Sequence, residues 1–366
     1  MALSRIGFFN LTEIHCLYEA CGSASAVIDH RDHIGDILPH PSRRLTTELQ
    51  QIGLHLRRAE EELDYDRQHG ISALAISDPR YPQRLRDCAD APLALYYRGS
   101  ADLNQAKIIN IVGTRHCTTY GQDLTRRFIA GLKTHCPHVL ILSGLAYGVD
   151  ICAHRSALQS GFETVGVLAH GLDDLYPPLH RPTAEQMITQ GGLLTEHMTN
   201  TRPDKVNFVR RNRIVAGCAD ATVLIESAAR GGGLITCGIA RSYGREVFAF
   251  PGAVGAGYSE GCNNLIRDNG AALITSAADF VKAMGWEADA QLAEAHKRGI
   301  ERQLFPDLTD DERLIVEALR KHNDLQINLL SVQTGLPMSR LSSMLFTLEM
   351  KGVVRTLAGA TYHLLD

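Results

Sequence analysis

The 366-residue sequence has no apolar run of the ~18–20 residues that a bilayer span requires. Its opening stretch, MALSRIGFFNLTEIH, has no hydrophobic segment ending at a small-residue cleavage site. Both absences point to the cytoplasm and to no membrane partner. Nine cysteines are present, yet no two are spaced C-x-x-C and none lies beside a histidine pair at zinc spacing. Reduced thiols in a cytosolic chain fit this pattern; disulfides or a zinc centre do not. The glycine run in GGGLITCG (231–238) is not followed by the Gly-Lys-Ser/Thr of a Walker A loop. The first strand-to-helix turn is not G-x-G-x-x-G, and the serine at 143 lacks the G-x-S-x-G elbow. These gaps argue against ordinary ATPases, nicotinamide enzymes and serine hydrolases. No cofactor and no metal is expected.

What is present is a chain too long for one ordinary domain and apolar enough, at 45%, to bury a substantial core. The overall charge of −4 is unevenly spread. Residues 104–285 carry a net +3, whereas 1–103 carry −4, 286–304 carry −1 and 305–366 carry −2. A polyanionic partner should therefore meet the central section.

Residues 1–103 read as a helical region, of the SAM-like type, with short strands. Apolar positions Leu45, Leu49, Ile52, Leu56, Ala59 and Leu63 mark one helix face. GISALAI (70–76) and PLALYYRG (92–99) read as strands. Residues 104–285 alternate buried-strand and helix signals: KIINIVG (107–113), HVLILSG (138–144), TVGVLAH (164–170), GLLTE (192–196), ATVLIE (221–226), EVFAF (246–250) and a short strand near 271–275. Continuous apolar strands alternating with helices predict an α/β fold: a Rossmann-like, doubly wound, mostly parallel sheet. Ligands of such sheets bind at the carboxyl ends of the strands. Residues 286–304 read as a linker. Residues 305–366 read as a winged-helix domain, with helices near 309–322, 327–334 and 339–351 and two strands around Ala358-Gly359.

Candidate site residues sit at those strand ends. Gly113-Thr114-Arg115 fits a phosphate contact, with glycine permitting close approach and arginine offering a fork. It equally fits a tight turn carrying a surface arginine. Ser143 and Gly144 offer a hydroxyl and backbone N–H groups before a helix. Tyr176 suits stacking on a base or plugging its loop into the core. Asp173 and Asp174 read as an exposed acidic turn. Arg210, Arg211 and Arg213 lie three in four positions, placed near a helix start. There they oppose the helix dipole unless an anion is near. Glu226 is the expected internal partner of one of them, leaving the others for ligand.

The motifs IVGTR, LSGLAYGVDICAH, GLDDLYP, FVRRNRIVAG, ESAARGGGLIT, GREVFAFPG and GCNNLIRDNGA resemble, in order, those of the DNA-processing protein A (DprA/Smf) family of bacterial natural transformation. The resemblance covers about 107–275. It implies a cytoplasmic, non-enzymatic protein that binds and protects incoming single-stranded DNA, forms a homodimer and helps load the RecA recombinase. Carried over by motif, Gly113, Thr114, Arg115, Ser143, Gly144, Tyr176, Arg210, Asn212, Arg213, Gly232, Gly233 and Thr236 would contact DNA. Asn263, Ile266 and Leu273 would lie at the dimer interface.

The chain departs from the family pattern in three places. Pro178 stands where many relatives carry lysine, so Arg181 is the candidate replacement cation. Gly231-Gly232-Gly233 replaces Ser-Gly-Ser and loses a hydroxyl. The winged helix is acidic and its third helix offers only Arg340 and Lys351, so it is expected to contact protein rather than DNA. The alternative reading is a nucleoside-monophosphate phosphoribohydrolase-like enzyme with Glu226 catalytic, although its PGGxGTxxE signature is absent.

Overall fold

A computed structural model describes residues 1–6, 11–286, 308–357 and 360–365. The chain divides into two compact units, Met1–Glu287 and Ala288–Asp366. The expected linker at 286–304 lies, after Trp286, outside the described residues.

The first unit is built on one sheet whose nine strands are β1 (Ser72–Ala75), β2 (Ala94–Gly99), β3 (Ile108–Val112), β4 (Leu140–Ser143), β5 (Thr164–Val167), β6 (Gly191–Thr195), β7 (Ala221–Leu224), β8 (Glu246–Ala249) and β9 (Ala272–Leu273). Their order is β1-β2-β6-β5-β4-β3-β7-β8-β9. Every pairing from β6 across to β9 is parallel. β1 and β2 close one edge antiparallel. The two strands read in the N-terminal region therefore belong to the central sheet, and the expected boundary at 103/104 does not separate them from it.

β3 explains why the sheet is covered on both faces. Ile108 and Val112 pack into one buried layer, Ile109 and Ile111 into the other. Strand residues alternate sides, so apolar residues on both sides demand cover above and below. One layer receives α7 (Thr119–His135), α8 (Val149–Gln159) and α13 (Ala277–Ala283). The other receives α10 (Lys205–Gly217) and α11 (Gly232–Ser242). Asn110, the polar exception in β3, is fully buried, and its Nδ2 donates to Val215 O at 3.1 Å and Thr222 Oγ1 at 3.0 Å.

From β3 the chain winds through β4 and β5 to β6, then returns to place β7 on the other side of β3. The winding direction reverses there, and the carboxyl ends of β3 and β7 flank a crevice. Beyond β7 the sheet ends with β8, α12 (Glu260–Arg267) and the edge strand β9.

The N-terminal helices are α1 (Ala2–Ile6), α2 (Leu11–Cys21), α3 (Ala24–Asp29), α4 (Arg43–Gln50) and α5 (Ile52–His69). The apolar face read from Leu45 to Leu63 is thus split between two helices at Gln51. Leu45, Leu49, Ile52 and Ala59 are buried, but Leu56 is exposed. The break re-phases the buried face, and α5 turns Glu62 and Asp66 inward.

In the second unit, helices Asp310–Lys321, Ile327–Thr334 and Met338–Met350 pack on a sheet of β10 (Leu325–Gln326), β12 (Thr361–Leu364) and β11 (Val354–Leu357). This is a winged helix, and the short strand β10 escaped the sequence reading. A Thr309/Glu312 capping box starts its first helix. Arg340 pairs with Asp311, and Lys351 Nζ lies 2.8 Å from Glu312 Oε1. Both cations of the third helix are thus matched within the unit.

Candidate functional site

The crevice at the β3/β7 switch is an open cleft of about 460 Å³. Its floor is built by residues that cannot be larger. A Cβ on Gly113 would lie 2.5 Å from Val149 Cγ2 and 2.8 Å from Glu226 O. The turn after Gly113 is pinned on both sides: Thr114 N donates to Glu226 O at 2.8 Å, and Val149 N donates to Thr114 O at 3.1 Å. This leaves Arg115 exposed at the rim. Its guanidinium lies over the Phe208 ring, 5.0 Å from the centroid, with no carboxylate partner among the described residues. Such a contact orients the cation and leaves its in-plane donors available.

The β4 end supplies the next wall. Leu145 holds a positive φ of 54°, a strained setting for a branched residue. Asp150 holds it there, its Oδ2 accepting from Gly144 N at 3.2 Å and Ala146 N at 3.4 Å. Behind Gly144 lies Arg211, whose Nη1 donates to Gly144 O at 2.7 Å and to Val167 O. A Cβ on Gly144 would lie 2.4 Å from that guanidinium and displace it from its two carbonyls. Burial pulls Arg211 down to about 10, against the opposing field of Asp150.

The third wall is the start of α11. Its first turn has no acidic residue and no side-chain cap, so its amides are free to meet an anion. Gly232 and Gly233 differ here. Gly232 faces open space, whereas a Cβ on Gly233 would lie 2.8 Å from Leu224 Cδ1. Thr236 is buried beneath, with Oγ1 donating to Gly232 O at 3.2 Å. Arg230, immediately before the glycine run, is exposed and has no carboxylate partner among the described residues.

Of the sequence candidates, Gly113, Thr114, Arg115, Gly144, Asn212, Gly232, Gly233 and Thr236 line this cleft. Four are placed differently. Ser143 is fully buried at the end of β4, and its hydroxyl donates to Ile111 O at 2.6 Å. Arg213 is buried, paired with Glu196, and donates to Asp90 O at 2.8 Å. Arg210 also turns to Glu196, 3.7 Å from Oε1. Tyr176 stands beside the cleft, exposed, its ring 5.8 Å from Phe208.

Two premises of the sequence reading fail for physical reasons. The arginines lie mid-helix, because α10 begins at Lys205 with Asp204 as its cap. A mid-helix spacing of 100° per residue sends Arg211 and Arg213 in different directions. No arginine of the three pairs with Glu226. Its carboxylate instead accepts from Thr118 N at 2.9 Å and Thr118 Oγ1 at 2.6 Å, at the start of α7. It is buried and does not line the cleft, so the enzyme alternative loses its catalytic carboxylate.

Arg181 opens the helix Arg181–Thr189, exposed, and does not line the cleft. Asp173 accepts from Asn200 N at 2.8 Å and Asp174 from its own neighbour Leu175 N at 2.7 Å. Among the described residues no His/Cys/Asp/Glu group could hold a metal, and no helix is long and apolar enough to cross a membrane. Asn263 holds Gly252 in both directions, Oδ1 accepting its N–H at 3.1 Å and Nδ2 donating to its carbonyl at 3.0 Å. Ile266 packs on the core, and Leu273 is exposed on the edge strand. Arg230 and Phe208 were missed. Arg230 carries the same signal as Arg115, an arginine adjoining strand-end glycines; Phe208 had none in the linear sequence.

Fold and cleft together define a Rossmann-type protein with a cleft lined by arginines and glycines at its strand ends and a winged helix in its second unit. Comparison with known families makes this narrower. Residues 72–285 match the model of DNA recombination-mediator protein A, and residues 301–360 match the DprA winged helix domain. Protein Smf of Escherichia coli is 32% identical over 334 residues, covering 86% of each chain. DNA processing protein DprA of Streptococcus pneumoniae is 38% identical over 209 residues, covering 57% of this chain and 73% of the relative. The X-ray structure of S. pneumoniae DprA superposes with a TM-score of 0.67 at 33% identity, over 77% of this chain and 95% of that one. The Helicobacter pylori DprA structure, described by its single-stranded DNA binding mode, superposes with a TM-score of 0.53 at 26% identity, over 58% and 95%. The chain belongs to the DprA/Smf family.

Proposed function

We propose that this protein binds single-stranded DNA in the β3/β7 cleft, without sequence preference and without chemistry on it. The carrying observation is the pair Arg115 and Arg230, two cations facing one cleft with no carboxylate partner among the described residues. Around them lie the uncapped amides of α11 and the aromatic side chains Phe208 and Tyr176. Cations that follow phosphates, beside rings that accept any base, are the elements of sequence-tolerant strand binding. The single-stranded DNA binding of the H. pylori relative supports the reading.

In this reading the protein acts in the cytoplasm in natural transformation, protecting incoming strands and helping to load RecA. It works as a homodimer through α12 and β9, where Ile266 and exposed Leu273 flank the sheet edge. The winged helix contacts protein rather than DNA, since Arg340 and Lys351 are already matched to acids. In this reading DNA is bound within 104–285, and the winged helix over 305–366 makes the protein contact.

The test is fluorescence anisotropy with oligo-dT and a matching duplex at two salt concentrations. Tighter binding of oligo-dT is expected, weakening with salt at about −0.7 in log–log slope per neutralised phosphate. Preferential binding of the duplex defeats the reading.

A further inference from the structure

A second cavity, of about 580 Å³, opens on the far side of Arg115. It shares Arg115 and His116 with the cleft and runs between α7 and α8. Its lining adds Arg126 and Arg155, with Gln122, Gln159 and Ser156, and contains no aspartate or glutamate. Arg155 is exposed, and its Nε donates to Thr183 Oγ1 at 3.2 Å, which fixes the side chain and leaves the two terminal nitrogens available. Arg126 has a surface partner, Asp123, at 3.0 Å. A pair so exposed holds its cation weakly and gives way to a phosphate that several donors hold at once. Tyr147, 42% exposed, stands at the wall with its ring edge-on to His180, 5.0 Å between centroids. That contact helps hold the ring in place.

We infer that this cavity is a second phosphate subsite, taking a neighbouring phosphodiester of the same strand that occupies the cleft. Arg115 is the divider: it stands in the wall of both cavities, so a strand passing over it presents successive phosphates to either side. Arg126 and Arg155 neutralise the phosphate, the two glutamines offer neutral donors, and Tyr147 offers a stacking face for the adjoining base. A small anion would need one cavity; two cavities sharing one arginine suit a linear polyanion. The inference rests on the strand-binding reading above.

The experiment measures oligo-dT of lengths between about 4 and about 16 nucleotides, the span of single-strand site sizes. It uses wild type, the double variant Arg126→Ala/Arg155→Ala, the charge-keeping Arg126→Lys/Arg155→Lys, and Arg127→Ala. Arg127 is an exposed cation of the same helix outside this cavity. The alanine pair is expected to bind the shortest oligonucleotide as wild type does and the longest about 10-fold more weakly. Its salt slope on the longest should flatten by about 0.7 for each phosphate released. The lysine pair should recover most of the loss, and Arg127→Ala should match wild type. Equal loss at every length, no loss at any length, or an equal effect of Arg127→Ala overturns the subsite while leaving the cleft intact. A wild type that binds no oligo-dT of any length overturns the parent reading, and the subsite with it.

Discussion

Two arginine sites of this molecule have opposite chemistry. At the end of β6, Arg213 and Arg210 converge on Glu196 in a buried network, with Asp90 O as a further acceptor. At the ends of β3 and β7, Arg115 and Arg230 face an open cleft with no carboxylate partner among the described residues. The first site holds its own counter-ion; the second does not. A cation at a strand end binds external phosphate only when the fold has not already placed an anion beside it. Arg211 is intermediate, buried behind Gly144 on two carbonyl oxygens and within the field of Asp150. It shapes the cleft wall and adds positive potential from beneath.

Removing the anion from the paired site is the harshest way to break this contrast. Glu196→Ala should destabilise the protein by roughly 3–5 kcal/mol, because Arg213 is left buried and uncompensated. Thermal unfolding checks this, and an unchanged midpoint would mean that Arg213 escapes to solvent. Asp66 is the reverse case, a buried acid whose two oxygens have no hydrogen-bond partner. Burial, aided by neighbouring Glu62, pushes its carboxyl up to about 7. An acid raised in the folded state is held protonated there, while the unfolded chain loses its proton near pH 4. Folding stability therefore falls as pH rises from about 4 to about 7, and is flat above. Asp66→Asn should remove that loss, by up to about 4 kcal/mol at pH 8 and far less at pH 4. Denaturant midpoints at the two pH values decide it; an equal effect at both would contradict the assignment.

Changes at the open site should spare stability and strike binding. Arg115→Ala should weaken oligo-dT binding by about 1.5–3 kcal/mol, similarly for all sequences, with unfolding within about 0.5 kcal/mol of wild type. Phe208→Ala should cost about 1–3 kcal/mol in binding, since it removes both a stacking face and the ring beneath Arg115. Anisotropy titrations measure both, and a loss confined to one base composition would contradict a sequence-tolerant cleft. The smallest effect separates two adjacent glycines. Gly232→Ala meets open space and should shift stability by less than about 1 kcal/mol, whereas Gly233→Ala meets Leu224 and should destabilise more. Equal effects would show that helix entry, not packing, governs both positions.

Strand periodicity and glycine placement carried the sheet and the strand-end cleft. Runs such as IINIV and ATVL are apolar on both strand faces, so a parallel sheet between two helical layers follows from periodicity alone. Ligand sites of such a sheet fall at strand ends, and Gly113–Arg115, Gly144 and Gly232–Gly233 were legible there because glycine marks close backbone approach. The winged helix was legible from its helix spacing, apart from the short strand β10. Partner choice was decided only in three dimensions. Glu226 and Glu196 are both glutamates just past strand ends, yet one caps α7 through Thr118 and the other takes Arg213. Nothing in the linear order distinguishes them, because the partner is set by which helix crosses which strand end. The same holds for Ser143, buried by the pleat of β4, and for Phe208, half-buried and set beside Arg115 by the turn of α10. Periodicity fixes which faces must be covered; charge pairing depends on distances of a few ångströms between elements far apart in the chain.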